Sequence, residues 1–176
     1  MTESRRDTLP ERDFASHEHR EIGPGIDRIH EVGALRGTNE ELSVAALEVL
    51  HWIDTVLEPH AKWEDRWLYP EIARRAGTPW ATKLMSFEHQ QIRDAAHALA
   101  SARAQLHDAP TNAPVIEVRA RLFALEAILR AHMAREERFL IPLLEAGMPS
   151  DAGAAPPPAD LRTSGSRPGV PTGKEG

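Results

Sequence analysis

The chain has 176 residues, enough for one domain, and a net charge of −6 that argues against a nucleic-acid partner. It contains no cysteine, which excludes disulfides, thiolate zinc sites and iron–sulfur clusters. No apolar run reaches about 18 residues and the N-terminus, Met1-Thr-Glu-Ser-Arg-Arg-Asp7, has no hydrophobic signal core, so the expectation is a soluble cytoplasmic protein with no membrane partner.

Residues 1–12 are polar and charged and read as a flexible arm. A first helix is predicted over residues 13–34, interrupted and kinked at Gly23-Pro24-Gly25, one turn after His19. Thr38-Asn-Glu-Glu41 has the form of a capping box and starts a second helix, predicted to end near Leu68. Pro59 removes a backbone donor just before His60, where a bend is expected, and Pro70 and Gly77 close the element. Thr78-Pro79 is an N-cap followed by Pro, opening a third helix to about Leu106. After the turn-rich stretch 108–114, a fourth helix is predicted over residues 114–146, with Gly147 as its stop. The expected domain is 13–147. Residues 148–176 hold six of the 14 prolines and only Leu161 and Val170 as large aliphatics, the composition of a disordered tail.

Two stretches repeat. His132-Met-Ala-Arg-Glu136-Glu-Arg-Phe-Leu-Ile-Pro142 aligns with His60-Ala-Lys-Trp-Glu64-Asp-Arg-Trp-Leu-Tyr-Pro70 at an offset of 72 residues. Each copy is preceded by a Glu-His pair, Glu18-His19 and Glu88-His89. The chain is therefore two copies of one helical hairpin, each carrying a His and then His-x-x-x-Glu.

Residues i and i+4 of a helix share one face. In the fourth helix the apolar seam runs Val118, Leu122, Leu125, Leu129, then His132, Glu136 and Phe139, at steps of four and three. The second gives Leu50, Ile53, Leu57, His60, Glu64, Trp67; the third Met85, His89, Ile92, Ala96, Leu99; the first His19, Ile22, Ile26, Ile29. His19, His60, Glu64, His89, His132 and Glu136 thus point into an otherwise apolar interior. A buried carboxylate costs several kcal/mol unless compensated. No Lys lies on these seams, and two divalent ions would compensate both glutamates while using the imidazole lone pairs.

Short connections make neighbouring helices antiparallel, so the predicted fold is an all-α, up-down-up-down four-helix bundle. His19 and His89 come early in their helices and His60 and His132 late, which brings all four to one end of the bundle. Six such side chains can hold two metals. If both glutamates bridge, each ion gains two imidazoles and two carboxylate oxygens, and a bridging oxide or hydroxide leaves one octahedral position open on each. The donor set suits iron, manganese or zinc. By helical phase His17, His51, Asp65 and Glu137 are expected at the surface, Trp67 and Phe139 in the core, and Tyr69 facing out, while His30 lies near the His19 face about three turns away and His97 and His107 lie about two and five turns beyond His89.

The repeated Glu-His…His-x-x-x-Glu pattern resembles the hemerythrin-like, HHE cation-binding family, over residues 13–146. The resemblance implies a left-handed four-helix bundle with a non-haem di-iron centre whose ligands are His19, His60, Glu64, His89, His132 and Glu136. It implies a protein that binds or senses dioxygen, nitric oxide or peroxide, or stores iron; the alternative is a di-iron oxidoreductase with catalase-like or Fe(II)-oxidising activity. Two departures separate the chain from oxygen-carrying hemerythrins. Arg93 stands where they place an additional His, and the last helix has His-x-x-x-Glu in place of His-x-x-x-x-Asp. Reversible oxygen carriage is accordingly not expected.

Overall fold

The computed structural model describes residues 12–106 and 111–144, with side chains in the first helix from Glu18 onward. Residues 1–11 of the expected N-terminal arm, the C-terminal tail, His107 and the Gly147 stop lie outside the described residues, as does the side chain of His17. Four helices and no strand are present among the described residues. Helix α1 is Arg12–Ala34. Helix α2 covers 39–76, α-helical over Asn39–Trp52, Glu58–Trp63 and Tyr69–Ala76, with π-helical turns at Ile53–Leu57 and Glu64–Leu68. Helix α3 is Trp80–Ala104. Helix α4 covers 113–144: α-helix Ala113–Arg135, a π turn Glu136–Leu140 and a 3₁₀ turn Ile141–Leu144.

The termini follow local chemistry. Thr38 Oγ1 accepts from the Glu41 N–H at 3.2 Å, while the Glu41 carboxylate accepts from the Thr38 N–H at 2.7 Å, closing the capping box of α2. Gly77 ends α2 at φ 67°, the left-handed conformation that favours glycine. Thr78 Oγ1 then accepts from the Trp80 N–H at 3.3 Å and starts α3.

Helix α1 is not interrupted at Gly23-Pro24-Gly25. Ile22 and Ile26 are both buried, so packing on either side outweighs the local breakers. Gly25 has a different purpose: a Cβ there would sit 2.1 Å from an atom of the Trp52 ring, so glycine lets the indole of α2 lie against the backbone of α1.

Helix α2 also runs beyond Pro70, where it was expected to close. Each π turn ends two residues before a proline: Leu57 before Pro59, Leu68 before Pro70, Leu140 before Pro142. Proline has no N–H, and its ring crowds the carbonyl four residues back. The residue before each proline bonds five residues back instead: Glu58 to the Ile53 carbonyl, Tyr69 to Glu64, Ile141 to Glu136. The wider turn takes in one extra residue, so everything beyond it lags by about 100° of rotation. The seam therefore passes to Leu68 and Leu140, 0% and 7% exposed, and Phe139 is turned out at 61% exposed. Trp67 is half-buried and holds Arg66 over its ring at 5.0 Å. The expectation of Trp67 and Phe139 as core residues is thus corrected by the π turns.

Helices α1 and α3 each pack against both α2 and α4, the square of an up-down-up-down bundle. The Arg119 guanidinium donates to the Leu35 carbonyl and Arg103 Nε to the Ser43 carbonyl at 2.7 Å. These bonds join the start of α4 to the end of α1 and the end of α3 to the start of α2, as antiparallel neighbours require. The core is in two parts. The larger includes Ile26, Ile29, Val49, Leu99, Leu122 and Leu125, the smaller Leu68, Ile72, Met85, Leu140, Ile141 and Leu144. Each such side chain contributes about 1.5–3 kcal/mol by leaving water. Along α2, α3 and α4 the buried histidines and glutamates fall between the two parts.

Candidate metal centre

The structure brings all six predicted side chains into this polar layer. His19, His60, Glu64, His89, His132 and Glu136 are each at most 6% exposed, and the two glutamates are fully buried. The glutamates occupy the first residue of a π turn in each half, which their neighbouring prolines impose. His60 Nε2 is 3.0 Å from Glu64 Oε1, and His19 Nε2 is 3.3 Å from the same oxygen. His89 Nε2 is 3.2 Å from Glu64 Oε2, and Glu136 Oε2 is 3.3 Å from His19 Nε2 and 3.6 Å from His132 Nε2. Two overlapping groups have ligand atoms within 4.8 Å of one another: His19, His60 and Glu64, and Glu64, His89, His132 and Glu136. Two donors about 2.1 Å from one ion and at right angles stand about 3 Å apart, so these separations match the edges of a coordination polyhedron.

The donor atoms are also short of partners. His60 Nε2, Glu64 Oε2 and Glu136 Oε2 are buried without a well-aligned hydrogen bond, although opposing donors or acceptors are close. Their lone pairs converge on shared space rather than on each other, as a cation requires.

Electrostatics gives the same result. Burial opposes protonation of His19, yet hydrogen bonds to Glu136 and Glu64 outweigh it and hold its pKa up to about 10. Burial likewise opposes protonation of His60, and the Glu64 charge raises it to about 9. His89 is raised against burial by its hydrogen bond to Glu64. Burial alone would raise Glu64, but the His60 charge and the hydrogen bonds of His19, His60 and His89 hold it well below the usual carboxylate range. The two carboxylates call for positive charge, and imidazole protons or metal ions are the available sources.

A second tier of acids surrounds the layer. His89 Nδ1 is 3.1 Å from Asp65 Oδ2, and His132 Nδ1 is 3.1 Å from Glu88 Oε2. His19 Nδ1 is 3.6 Å from Glu137 Oε1 and His60 Nδ1 is 3.9 Å from Glu18 Oε2. His89 and His132 thus each have a carboxylate behind them, which favours a proton on Nδ1 and a lone pair on Nε2 facing the layer, while Glu137 and Glu18 stand beyond hydrogen-bond range of His19 and His60. Asp65 is held by Ser86, whose hydroxyl donates to it at 2.8 Å, and Glu88 by Arg135. Asp65 and Glu137 are therefore not merely surface acids. The signal for them was in the repeat, where an acid follows each seam glutamate and precedes each leading histidine.

Tyr69 is the largest departure from the sequence reading. It is 2% exposed, its hydroxyl donates to Glu136 Oε1, and its oxygen is 3.3 Å from His89 Nε2. The π turn Glu64–Leu68 rotates it inward. Burial and the charges of Glu64 and Glu136 hold the phenol protonated.

The other described histidines stay out. His51 and His97 are exposed, and His30 is exposed and pairs with Glu126 at 2.8 Å. Arg93 is half-buried at the rim, with Nη1 3.7 Å from Glu58 Oε2 and Nε donating to Gln90 Oε1 at 3.3 Å. It borders a pocket of 20 Å³ that is walled by Ile53, Leu57, Ala61, Ile92 and Met133 and reaches His60, His89 and His132. No described helix is long and apolar enough to cross a membrane.

Comparison with known families matches residues 12–144 to the hemerythrin HHE cation binding domain. No curated protein and no solved structure matches the chain.

Proposed function

From the chain's membership of the hemerythrin HHE cation-binding family, we propose that the buried layer holds two iron ions and that the protein binds or senses a small ligand there, such as dioxygen, nitric oxide or peroxide. His19, His60 and Glu64 would hold one ion, and His89, His132, Glu136 and the shared Glu64 the other. The donor set also admits manganese or zinc. Iron, when bound, supplies exchangeable coordination positions and one-electron redox chemistry.

The observation that carries the ligand-binding reading is the pocket beside the layer. Its 20 Å³ is about the room of one water molecule. Apolar walls and three imidazoles, with Glu58 and Arg93 at the rim, favour a small ligand. The surrounding residues set its conditions: Asp65 and Glu88 fix the imidazoles of His89 and His132, and two apolar cores flank the layer. Nitric oxide added to the anaerobic Fe(II)-loaded protein should give an iron–nitrosyl spectrum. Ala61→Leu, which fills the pocket, should slow that binding at least tenfold with iron content unchanged. Equal rates in the two proteins would contradict ligand binding at this pocket.

One observation favours the oxidoreductase alternative: Tyr69 places a protic, oxidisable group beside the layer. Sustained oxygen evolution from peroxide by the loaded protein would decide for it.

A further inference from the structure

We propose that Tyr69 is itself a metal ligand, coordinating through its phenolic oxygen the ion held by His89, His132, Glu64 and Glu136, so that the two metal positions are chemically different. This rests on the dinuclear reading above. Three observations carry it. The first is position. The Tyr69 oxygen is 3.3 Å from His89 Nε2, the nitrogen that faces the layer, and in hydrogen-bond contact with Glu136 Oε1. His89 Nε2 is 3.2 Å from Glu64 Oε2. The phenol thus stands to His89 as Glu64 does, at the roughly 3 Å edge that adjacent ligands of one ion share.

The second is confinement. Tyr69 is 2% exposed, belongs to the smaller apolar core, and its ring lies on that of His89 with centroids 5.4 Å apart and planes at 23°. It cannot leave the layer without opening that core.

The third is the broken repeat. The offset of 72 residues that equates Glu64 with Glu136 equates Tyr69 with Ile141, which is 1% exposed and has no donor. One half of the bundle adds an oxygen and the other adds hydrocarbon. The ion beside Tyr69 then has five protein ligands, whereas the ion of His19 and His60 shares Glu64 and is left open for an added ligand. Coordination breaks the phenolic O–H bond heterolytically: the oxygen keeps the electron pair, the proton passes to solvent, and no oxidation or reduction is involved.

The test uses the fact that Tyr69 is the one tyrosine in the sequence, so any tyrosinate signal belongs to it. The full chain is loaded with iron, brought to the ferric state, assayed for iron content, and examined by visible absorption and resonance Raman spectroscopy. The expected result is a phenolate-to-iron charge-transfer band with enhanced tyrosine ring modes, both lost in Tyr69→Phe. Wild-type protein that carries two irons without those modes overturns ligation by Tyr69 and leaves the di-iron reading standing. Wild-type protein that retains no iron overturns both. The decision lies with the wild-type spectrum, whatever the folding of the variant.

Discussion

Replacing Glu88 by Gln tests whether the outer carboxylates tune the centre. Glu88 is 5% exposed, its Oε2 lies 3.1 Å from His132 Nδ1, and Arg135 pairs with it from the other side. Glutamine keeps the volume and an acceptor oxygen but removes the charge that makes the imidazole a stronger donor. Loss of such a partner costs 10- to 100-fold in metal affinity, or about 1.4–2.7 kcal/mol. The opposite half supplies an internal control. Glu18 Oε2 is 3.9 Å from His60 Nδ1, beyond hydrogen-bond range, so Glu18→Gln should lose less than about tenfold. Competition between the metal-free protein and a chelator for Zn(II) measures both losses. Wild-type affinity in Glu88→Gln, or a larger loss in Glu18→Gln than in Glu88→Gln, would refute the reasoning.

Three further predictions follow from the layer and the π turns. His19 and His60 are raised from 6.5 to about 10 and about 9, so their contribution to stability is full below pH 6.5 and lost as pH rises through those values. The melting temperature of the metal-free protein should fall between about pH 6.5 and 10, and a flat or rising profile would contradict the assignment. Loading with metal at neutral pH should release at least two protons per chain, those of His19 and His60, with a further one from Tyr69 when its phenol coordinates, measurable in weakly buffered solution, because bound imidazoles must be neutral. Leu140→Ala should destabilise the protein by about 2–5 kcal/mol and Phe139→Ala by less than about 1 kcal/mol in denaturant unfolding. The opposite order would restore the uninterrupted seam through Phe139 and disprove the shifted register.

Much of this was legible in the sequence. The duplicated His and His-x-x-x-Glu spacing located all six residues of the layer, because the four-residue spacing is α-helical within each pair: the first π turn of α2 ends at Leu57, before His60, and the later ones begin only at Glu64 and Glu136. The capping box at Thr38 and the stop at Gly77 are local chemistry and were found as such. The failures begin where the period changes. Constant rotation per residue places Trp67 and Phe139 inward and Tyr69 outward. The π turns that precede Pro70 and Pro142 reverse this, since each absorbs one residue. Gly23-Pro24-Gly25 has the composition of a break, but Ile22, Ile26 and the Trp52 ring hold α1 together. Asp65 and Glu137 do not face the core by helical phase and approach the imidazoles of His89 and His19 from the side.

The central claim is that one chain holds two metal ions in a single buried layer. The direct measurement is iron per chain by elemental analysis after anaerobic loading with Fe(II) and removal of loosely bound metal. The account predicts two irons per chain in the wild type and a loss of both in Glu64→Leu, since Glu64 belongs to both ligand groups. One iron or none in the wild type, or two retained in Glu64→Leu, would contradict it.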